Sequence, residues 1–156
     1  MLGLVALTLS CAATVAPTTM AAIVEVESSG NPYAIGVVGG RLDRQPESLA
    51  EALSVVQRLD AGGWNYSVGL AQINRDNLPR YGVTAEQAFD PCTNLEIGAA
   101  ILSECYTRAS LEITDPQRSL RMALSCYYSG NFTRGFRPDT SAGMSYVQRV
   151  LSAATK

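Results

Sequence analysis

Residues 17–30 read PTTMAAIVEVESSG, and the interpretation of the whole chain starts from this stretch. Pro17 suits the first turn of a helix, where its missing N–H costs nothing, and Gly30 suits the position just past a helix end. Between them, apolar side chains recur at helical spacing: Met20, Ile23 and Val24. The pattern predicts a helix over about 17–29, and one further step of three along its apolar stripe reaches Glu27.

Glu27 places a carboxyl group where a core residue is expected. No cation lies within one helical turn of it, so the burial of its charge would not be compensated locally. Desolvation and the carbonyl end of the helix both disfavour negative charge, which raises a carboxyl pKa and suits a general acid. The alternative is a helix-end glutamate that turns outward or pairs with a distant arginine. Glu25, about 200° around the helix, is interpreted as a surface charge.

The other periodic stretches predict a mainly α fold in a single domain. A second helix opens at Ser48 and ends at Gly62, and a fifth covers about 141–154. The third and fourth begin at Asp90-Pro91 and Asp115-Pro116, where an N-cap side chain precedes a proline. No stretch of four or more residues alternates well enough to predict a strong strand. Loops of the kind that usually form a working cleft lie at residues 37–46 and 62–66.

The ionisable residues exclude several mechanisms at once. The chain has no histidine, and its only lysine is the last residue, Lys156. A Ser-His or Cys-His nucleophile, a histidine zinc site, a Ser-Lys dyad and a phosphate loop with its lysine all need residues that are absent. Carboxylates, tyrosines, amides and backbone groups must therefore carry any chemistry, and no set of residues suggests a metal or an organic cofactor.

Charge and hydropathy exclude two classes of partner. The formal net charge is −2, and the basic residues are scattered singly along the sequence, so we expect no binding to nucleic acid. The longest apolar stretch, residues 1–9, is about half the length that a membrane helix needs, so no membrane span is predicted. It resembles the apolar part of a signal peptide without a preceding basic residue, and it would equally suit a first amphipathic helix. We therefore divide the chain into an N-terminal segment, 1–15, and a main domain, 16–156.

Four cysteines without C-x-x-C spacing favour structural disulfides formed outside the cytoplasm, with four buried free thiols as the alternative. Cys92 and Cys105 lie about 20 Å apart on a continuous helix and cannot pair. Of the remaining connectivities, Cys105 with Cys126 and Cys11 with Cys92 is favoured, because a short loop makes the third and fourth helices antiparallel neighbours.

Four segments follow one another along the chain in a recognisable order: residues 23–35, 67–74, 90–102 and 123–131. Together they resemble the motifs of soluble lytic transglycosylases, whose fold is similar to that of goose lysozyme. Residues 23–35, IVEVESSGNPYAI, resemble the family's Glu-Ser motif, and residues 67–74, SVGLAQIN, resemble its Gly-Leu-Met-Gln-Ile motif. Residues 123–131, ALSCYYSGN, resemble its Ala-x-x-x-Tyr-Asn-x-Gly motif. Residues 90–94 with 98–102 fit the helix between them. A departure from the pattern is Ala71, where the family motif has methionine.

The resemblance implies a lysozyme-like domain with a catalytic cleft between helices and loops, and it implies roles for particular residues. Glu27 would be the single catalytic residue, protonating the oxygen between N-acetylmuramic acid and N-acetylglucosamine and then acting as base. Tyr128 would reach Glu27 and orient it. Further residues expected to bind substrate are Ser67, Gln72 and Asn74. The alternative for Gln72 and Asn74 is that their amides only satisfy backbone groups of the loop. Aromatic side chains that could stack on sugars are Tyr33, Trp64 and Tyr66, with packing beneath the loops as the alternative.

The inserted segment 39–63 resembles the branch of the family that accompanies type IV secretion and conjugation systems. This implies a periplasmic enzyme that opens peptidoglycan glycan strands locally, with components of a secretion system as possible partners. One alternative is a muramidase that uses water and a second carboxylate, for which the candidates are Asp43, Asp60 and Asp76. The other is a non-catalytic glycan-binding or scaffolding module.

Overall fold

The computed structural model describes residues 2–139 and 143–156, and this part of the chain is mainly helical, as predicted. In chain order its α-helices are α1 Leu2–Cys11, α2 Pro17–Ser28, α3 Leu49–Ala61, α4 Ala85–Ala88, α5 Pro91–Ser110, α6 Pro116–Ser129 and α7 Tyr146–Ala154. Single-turn 3₁₀ helices cover Arg75–Asn77, Pro79–Tyr81 and Arg134–Phe136. Within the described residues, none of the helices combines the length and apolarity needed to cross a membrane.

The helix starts follow the capping chemistry read from the sequence. The side chains of Ser48, Asp90 and Asp115 each accept a hydrogen bond from a backbone N–H in the first turn of their helix. The last helix begins at Tyr146 behind a Ser145 capping box, later than the predicted start. That start, residue 141, lies outside the described residues, but residues 143–145 are described and are not helical.

A small antiparallel sheet lies between α2 and α5 in the chain, and the sequence did not predict it. Its strands are β1 Ile35–Val37, β2 Tyr66–Val68 and β3 Ile73–Asn74, paired in the order β1-β2-β3. Strands of two or three residues are too short to show an alternating pattern, which explains the omission. The insertion that contains α3 connects β1 to β2.

The core forms where α5 packs along α6 and α2 packs along α7. The predicted apolar stripe of α2 is fully enclosed, since Met20, Ile23 and Val24 are each 0% exposed. Disulfides join Cys11 to Cys92 and Cys105 to Cys126, the pairing that the sequence favoured. The first bond fastens α1 to α5, and the second fastens α5 to α6. The division of the chain after residue 15 stays a prediction.

A buried amide on α5 fixes the loop between β2 and β3. Asn94 is 0% exposed, and its Nδ2 donates to the backbone oxygens of Val68 and Ala88 at 2.9 and 2.8 Å. Its Oδ1 accepts from the N–H of Ala71 at 2.7 Å. The chain passes so close to this amide that a Cβ at Gly69 would lie 2.1 Å from Nδ2, and Gly69 also has a positive φ of 81°.

We predict that Asn94→Asp destabilises the protein by roughly 3 kcal/mol at neutral pH. The change replaces a donor with a charged acceptor that faces two carbonyl oxygens in a buried site. Urea unfolding followed by circular dichroism measures the loss. Gln57→Glu makes the same amide-to-acid change at an exposed position on α3 and should alter stability by less than about 0.5 kcal/mol. Equal effects from both variants would contradict the anchoring role of Asn94.

Candidate active site

Two of the cavities in the described structure are compared as candidate ligand sites. Only one of them is lined by the residues that the sequence singled out. The larger, about 560 Å³, lies beside α1, and its charged lining groups, Glu25 and Lys156, form an ion pair with each other at 3.1 Å. The other, about 330 Å³, lies between the sheet and α6. It is lined by all five predicted site residues: Glu27, Ser67, Gln72, Asn74 and Tyr128. We therefore take the second cavity as the candidate active site and refer to it as the cleft.

The end of α2 holds Glu27 at the wall of the cleft. The hydroxyl of Ser28 donates to the backbone oxygens of Val24, within the helix, and Leu70, in the loop after β2, at 3.1 and 2.8 Å. Ser29 then adopts a left-handed conformation, with φ of 53°, and its N–H bonds to the oxygen of Glu25. The helix therefore ends abruptly, and the loop beside it is tied to its last turn.

Burial controls the protonation of Glu27. Although the residue is partly exposed at the cleft, its carboxyl is enclosed by protein atoms on nearly every side, and this desolvation raises its pKa from 4.5 to about 7. The Tyr146 hydroxyl and, to a lesser extent, the charge of Arg149 oppose the shift. A carboxyl in this state can give up and take back a proton near neutral pH.

The tyrosine that faces Glu27 is Tyr146 of α7, and not Tyr128 as the sequence analysis expected. Tyr146 is 1% exposed, and its hydroxyl lies beside the carboxyl without closing a full hydrogen bond to any described residue. The hydroxyl of Tyr128 instead donates to Asp139 at 2.9 Å, while its ring stacks on that of Tyr146 with centroids 4.6 Å apart. Tyr128 lines the cleft and is 40% exposed, so a ligand can reach it.

Gln72 is held so that only one end of its amide faces the cleft. Its backbone has a positive φ of 52°, and its Nε2 donates to the oxygens of Ala34 and Gly69 at 3.0 and 2.9 Å. Two carbonyl oxygens can be satisfied only by the NH₂ end, so the carbonyl Oε1 is the end available to a ligand. Gly36 makes room for it, because a Cβ there would lie 2.6 Å from Oε1.

Asn74 and Ser67 line the cleft with less freedom to bind a ligand. The Oδ1 of Asn74 accepts from the N–H of Asp76 at 3.0 Å and caps the following 3₁₀ helix. Its Nδ2 donates to Asn65 at 3.0 Å and more weakly to the Ser67 hydroxyl at 3.4 Å. Asn74 therefore has the backbone-stabilising contacts named as its alternative, and the hydroxyl proton of Ser67 is the group left to point at a ligand.

The other aromatic side chains divide between core and surface. Tyr66 is 2% exposed and donates to Asp60 at 2.8 Å, so it packs beneath the loops. Tyr127 donates to the backbone oxygen of Ala71 at 2.6 Å from within the wall of the cleft. Trp64 is 45% exposed but lines a separate depression beside α3. Tyr33 is partly buried against the core.

Glu27 is the only carboxylate among the described residues that line the cleft. Asp60 is engaged by Tyr66 and by Arg75, the latter at 3.2 Å, and Asp76 lies 3.8 Å from Arg75. Asp43 belongs to the depression beside α3. Across the described part of the chain, no group of three or more histidine, cysteine or acidic side chains is arranged to hold a metal ion.

The sequence analysis missed Tyr146 and Arg149, which interact with Glu27, and Asp139, which binds Tyr128 and Arg149. The spacing Ser145 to Gln148 is a capping box and would have identified the start of α7 at Tyr146. Nothing in the local pattern connects that helix with α2, because the two pack together only through the tertiary fold.

Comparison with known proteins gives the class of this chain. The family model described as "Transglycosylase SLT domain" matches residues 6–136, so the chain belongs to the SLT transglycosylase family. The match confirms the resemblance drawn from the four motifs and, with it, the mainly α, lysozyme-like fold. No solved structure matches the chain.

Two individual relatives within the family are named virB1. The chain is 60% identical over 145 residues to "Type IV secretion system protein virB1" of Brucella abortus, covering 92% of this chain and 60% of that protein. It is 39% identical over 146 residues to "Protein virB1" of Agrobacterium fabrum, covering 92% of this chain and 56% of that protein. The chain thus spans somewhat more than half the length of the relatives it matches.

We predict that replacing Glu27 with glutamine stabilises the fold increasingly as the pH rises. Below pH 4.5 the carboxyl is protonated in the folded and the unfolded chain alike. Between that value and about 7 the folded chain keeps a proton that the unfolded chain loses, so Glu27 costs stability with rising pH. Glu27→Gln, which has no charge to bury, should gain on the order of 2 to 3 kcal/mol relative to wild type between pH 4.5 and 8.

Urea unfolding of both proteins at the two pH values measures this gain. Glu25→Gln, which removes the half-exposed carboxylate paired with Lys156, controls for the loss of a negative charge from the same helix. A pH-dependent gain of the same size in the control would contradict the assignment to burial of Glu27.

Proposed function

We propose that this protein is a lytic transglycosylase that cleaves the β-1,4 bond between N-acetylmuramic acid and N-acetylglucosamine in peptidoglycan. The observation that carries the proposal is a single enclosed carboxyl, Glu27, with a pKa raised to about 7, in the cleft of an SLT-family chain. A group of this pKa serves equally well as acid and as base near neutral pH.

In the first step, Glu27 donates its proton to the glycosidic oxygen as the bond to the muramic acid anomeric carbon breaks. In the second step, the Glu27 carboxylate removes the proton of the C6 hydroxyl of the same sugar, and the hydroxyl oxygen bonds to the anomeric carbon. The products are a free 4-hydroxyl on N-acetylglucosamine and a 1,6-anhydro-muramic acid end. No water is consumed, and Glu27 finishes protonated as it began.

Ring closure needs one carboxyl, whereas hydrolysis by inversion or retention normally needs two. The cleft supports the first reaction because Glu27 is the only acid on its described wall. The three carboxylates considered for water activation have other surroundings: Asp43, Asp60 and Asp76. In the proposed complex, Gln72 accepts a hydrogen bond from a sugar hydroxyl or acetamido N–H, Ser67 donates one, and Tyr128 lies against a sugar ring. Asn74 supports this wall of the cleft.

We further propose that the enzyme acts in the periplasm and opens the wall locally for a type IV secretion or conjugation apparatus, whose components are its partners. The names of the virB1 relatives support this assignment. The two disulfides support an oxidising compartment, since such bonds are rare in the cytoplasm.

The reaction is tested by mass spectrometry of purified peptidoglycan after digestion. Wild type should release muropeptides with 1,6-anhydro ends, and Glu27→Gln should release at least a thousandfold fewer, because it can neither give nor accept the proton. Glu25→Gln, altered two residues away on the surface, should behave as wild type. Reducing-end products would identify a muramidase instead, and glycan binding without cleavage by wild type would identify a binding module.

The role of Gln72 is tested through Gly36, where an added Cβ would lie 2.6 Å from Oε1 and 3.9 Å from Cδ of Gln72. A methyl group at residue 36 must displace Oε1 from its place in the cleft. Gly36→Ala should therefore raise KM for glycan strands about fivefold, the equivalent of one hydrogen bond of about 1 kcal/mol, with little change in kcat. Gly3→Ala, where an added methyl meets no atom within 4 Å, is the control. A fall in kcat at unchanged KM would contradict a binding role.

A further inference from the structure

Arg149 and Asp139 form an ion pair that contacts both Tyr128 and Tyr146. The Nη2 of Arg149, on α7, lies 2.8 Å from Oδ2 of Asp139, and the hydroxyl of Tyr128 donates to that same oxygen at 2.9 Å. The side chains of the pair are only 29% and 24% exposed. The guanidinium also lies over the ring of Tyr146, 5.7 Å from its centroid. Arg149 is therefore fixed from three directions: by a carboxylate, by an aromatic face and by its own helix.

Two buried donor atoms of α7 form no hydrogen bond to a described residue. Among the described residues, the buried polar side-chain atoms without a hydrogen bond are the Tyr146 hydroxyl and Nε of Arg149. They come from positions three apart on α7, which places them on one face of the helix, and α7 packs along α2. Unpaired buried donors are costly, and one of these two, the Tyr146 hydroxyl, lies beside a carboxyl that can become negative.

We propose that Arg149 and Asp139 are positioning residues that together set the proton affinity of Glu27. Arg149 supplies a positive charge that favours the carboxylate, and Asp139 holds the guanidinium back and offsets part of its charge. This inference rests on the proposed role of Glu27 as the acid and base, and it adds a control that none of the cleft-lining residues provides.

The Tyr146 hydroxyl also favours the carboxylate, but it does so without a charge, and Arg149 is the charged group that acts on Glu27. Among the described residues, the titratable or charged side chains that interact directly with Glu27 are Tyr127 and Tyr128 of α6 and Tyr146 and Arg149 of α7. The tyrosines are neutral at the working pH, since burial raises the pKa of each above its usual range. The described part of α1, also packed against α2, carries no free titratable group, because Cys11 is in a disulfide.

The two partners of the ion pair should move the titration of Glu27 in opposite directions. Without the guanidinium, the carboxylate loses its favourable charge and should hold its proton to a higher pH. Without Asp139, the guanidinium is no longer neutralised and is free to approach Glu27, which should lose its proton at a lower pH. If the ion pair had only a structural role, removing Arg149 or Asp139 would break the same contact and disturb the cleft in the same way. The titration midpoint of Glu27 would then shift in the same direction in both variants.

The experiment is a carboxyl ¹³C NMR titration of protein labelled at glutamate Cδ, with Glu27→Gln used to assign the resonance. Arg149→Met should move the midpoint of Glu27 up by about one pH unit, and Asp139→Asn should move it down by a similar amount. Arg149→Lys, which keeps the charge, should stay near wild type. Arg118→Met, which removes an exposed arginine at the start of α6, should leave the midpoint unchanged.

The pH dependence of muropeptide release, measured on the same variants, should shift in the same directions. Shifts of the same sign in Arg149→Met and Asp139→Asn, or no shift in either, would overturn the proposal; if Arg149→Met does not fold, Asp139→Asn and Arg149→Lys still decide it. The NMR midpoint does not depend on turnover. Opposed midpoints in a protein that releases no anhydro products would therefore support the ion-pair inference and reject the proposed reaction.

Discussion

Partial desolvation of one carboxyl is the constraint on which the rest of this site depends. Glu27 is enclosed enough to raise its pKa to about 7, and yet the same side chain lines the cleft. The position at the last turn of α2 allows both. Its preceding turns, with Met20, Ile23 and Val24 fully buried, contribute the apolar contacts that offset the cost of enclosing the carboxyl.

The loop between β2 and β3 holds the cleft together, because residues of three helices form hydrogen bonds to it. Ser28 of α2 donates to Leu70, Asn94 of α5 accepts from Ala71, and Tyr127 of α6 donates to the oxygen of Ala71. These bonds connect the helix that carries Glu27 with the loop that carries Gln72. The two principal walls of the cleft are therefore fixed to each other by side-chain hydrogen bonds to the backbone of this loop.

Features that depend on interactions within one helical turn could be predicted from the sequence. Features that depend on tertiary packing could not. Ser48, Asp90 and Asp115 marked helix starts because capping acts within one turn, and the inward direction of Glu27 followed from the stripe of α2. The sheet was missed because its strands are too short to alternate. The tyrosine facing Glu27 was misassigned to Tyr128 because adjacent motif residues say nothing of α7, whose approach depends on packing. The anchored amide of Gln72 likewise depends on two carbonyls that only the folded loop brings together.

A site in which one carboxyl acts first as acid and then as base places a stricter requirement on the pKa of that carboxyl than a site with two carboxylates. In a two-carboxylate site, one group can be kept protonated and the other ionised by different surroundings. A single group must pass through both states in each cycle, so neither state can be strongly preferred. Around Glu27, burial favours the protonated form, Arg149 favours the ionised form, and Asp139 accepts a hydrogen bond from that same guanidinium. A single carboxyl that acts as both acid and base therefore requires a fold in which the effects that favour its protonated form and those that favour its ionised form nearly balance. The strength of any one of these effects matters less than that balance.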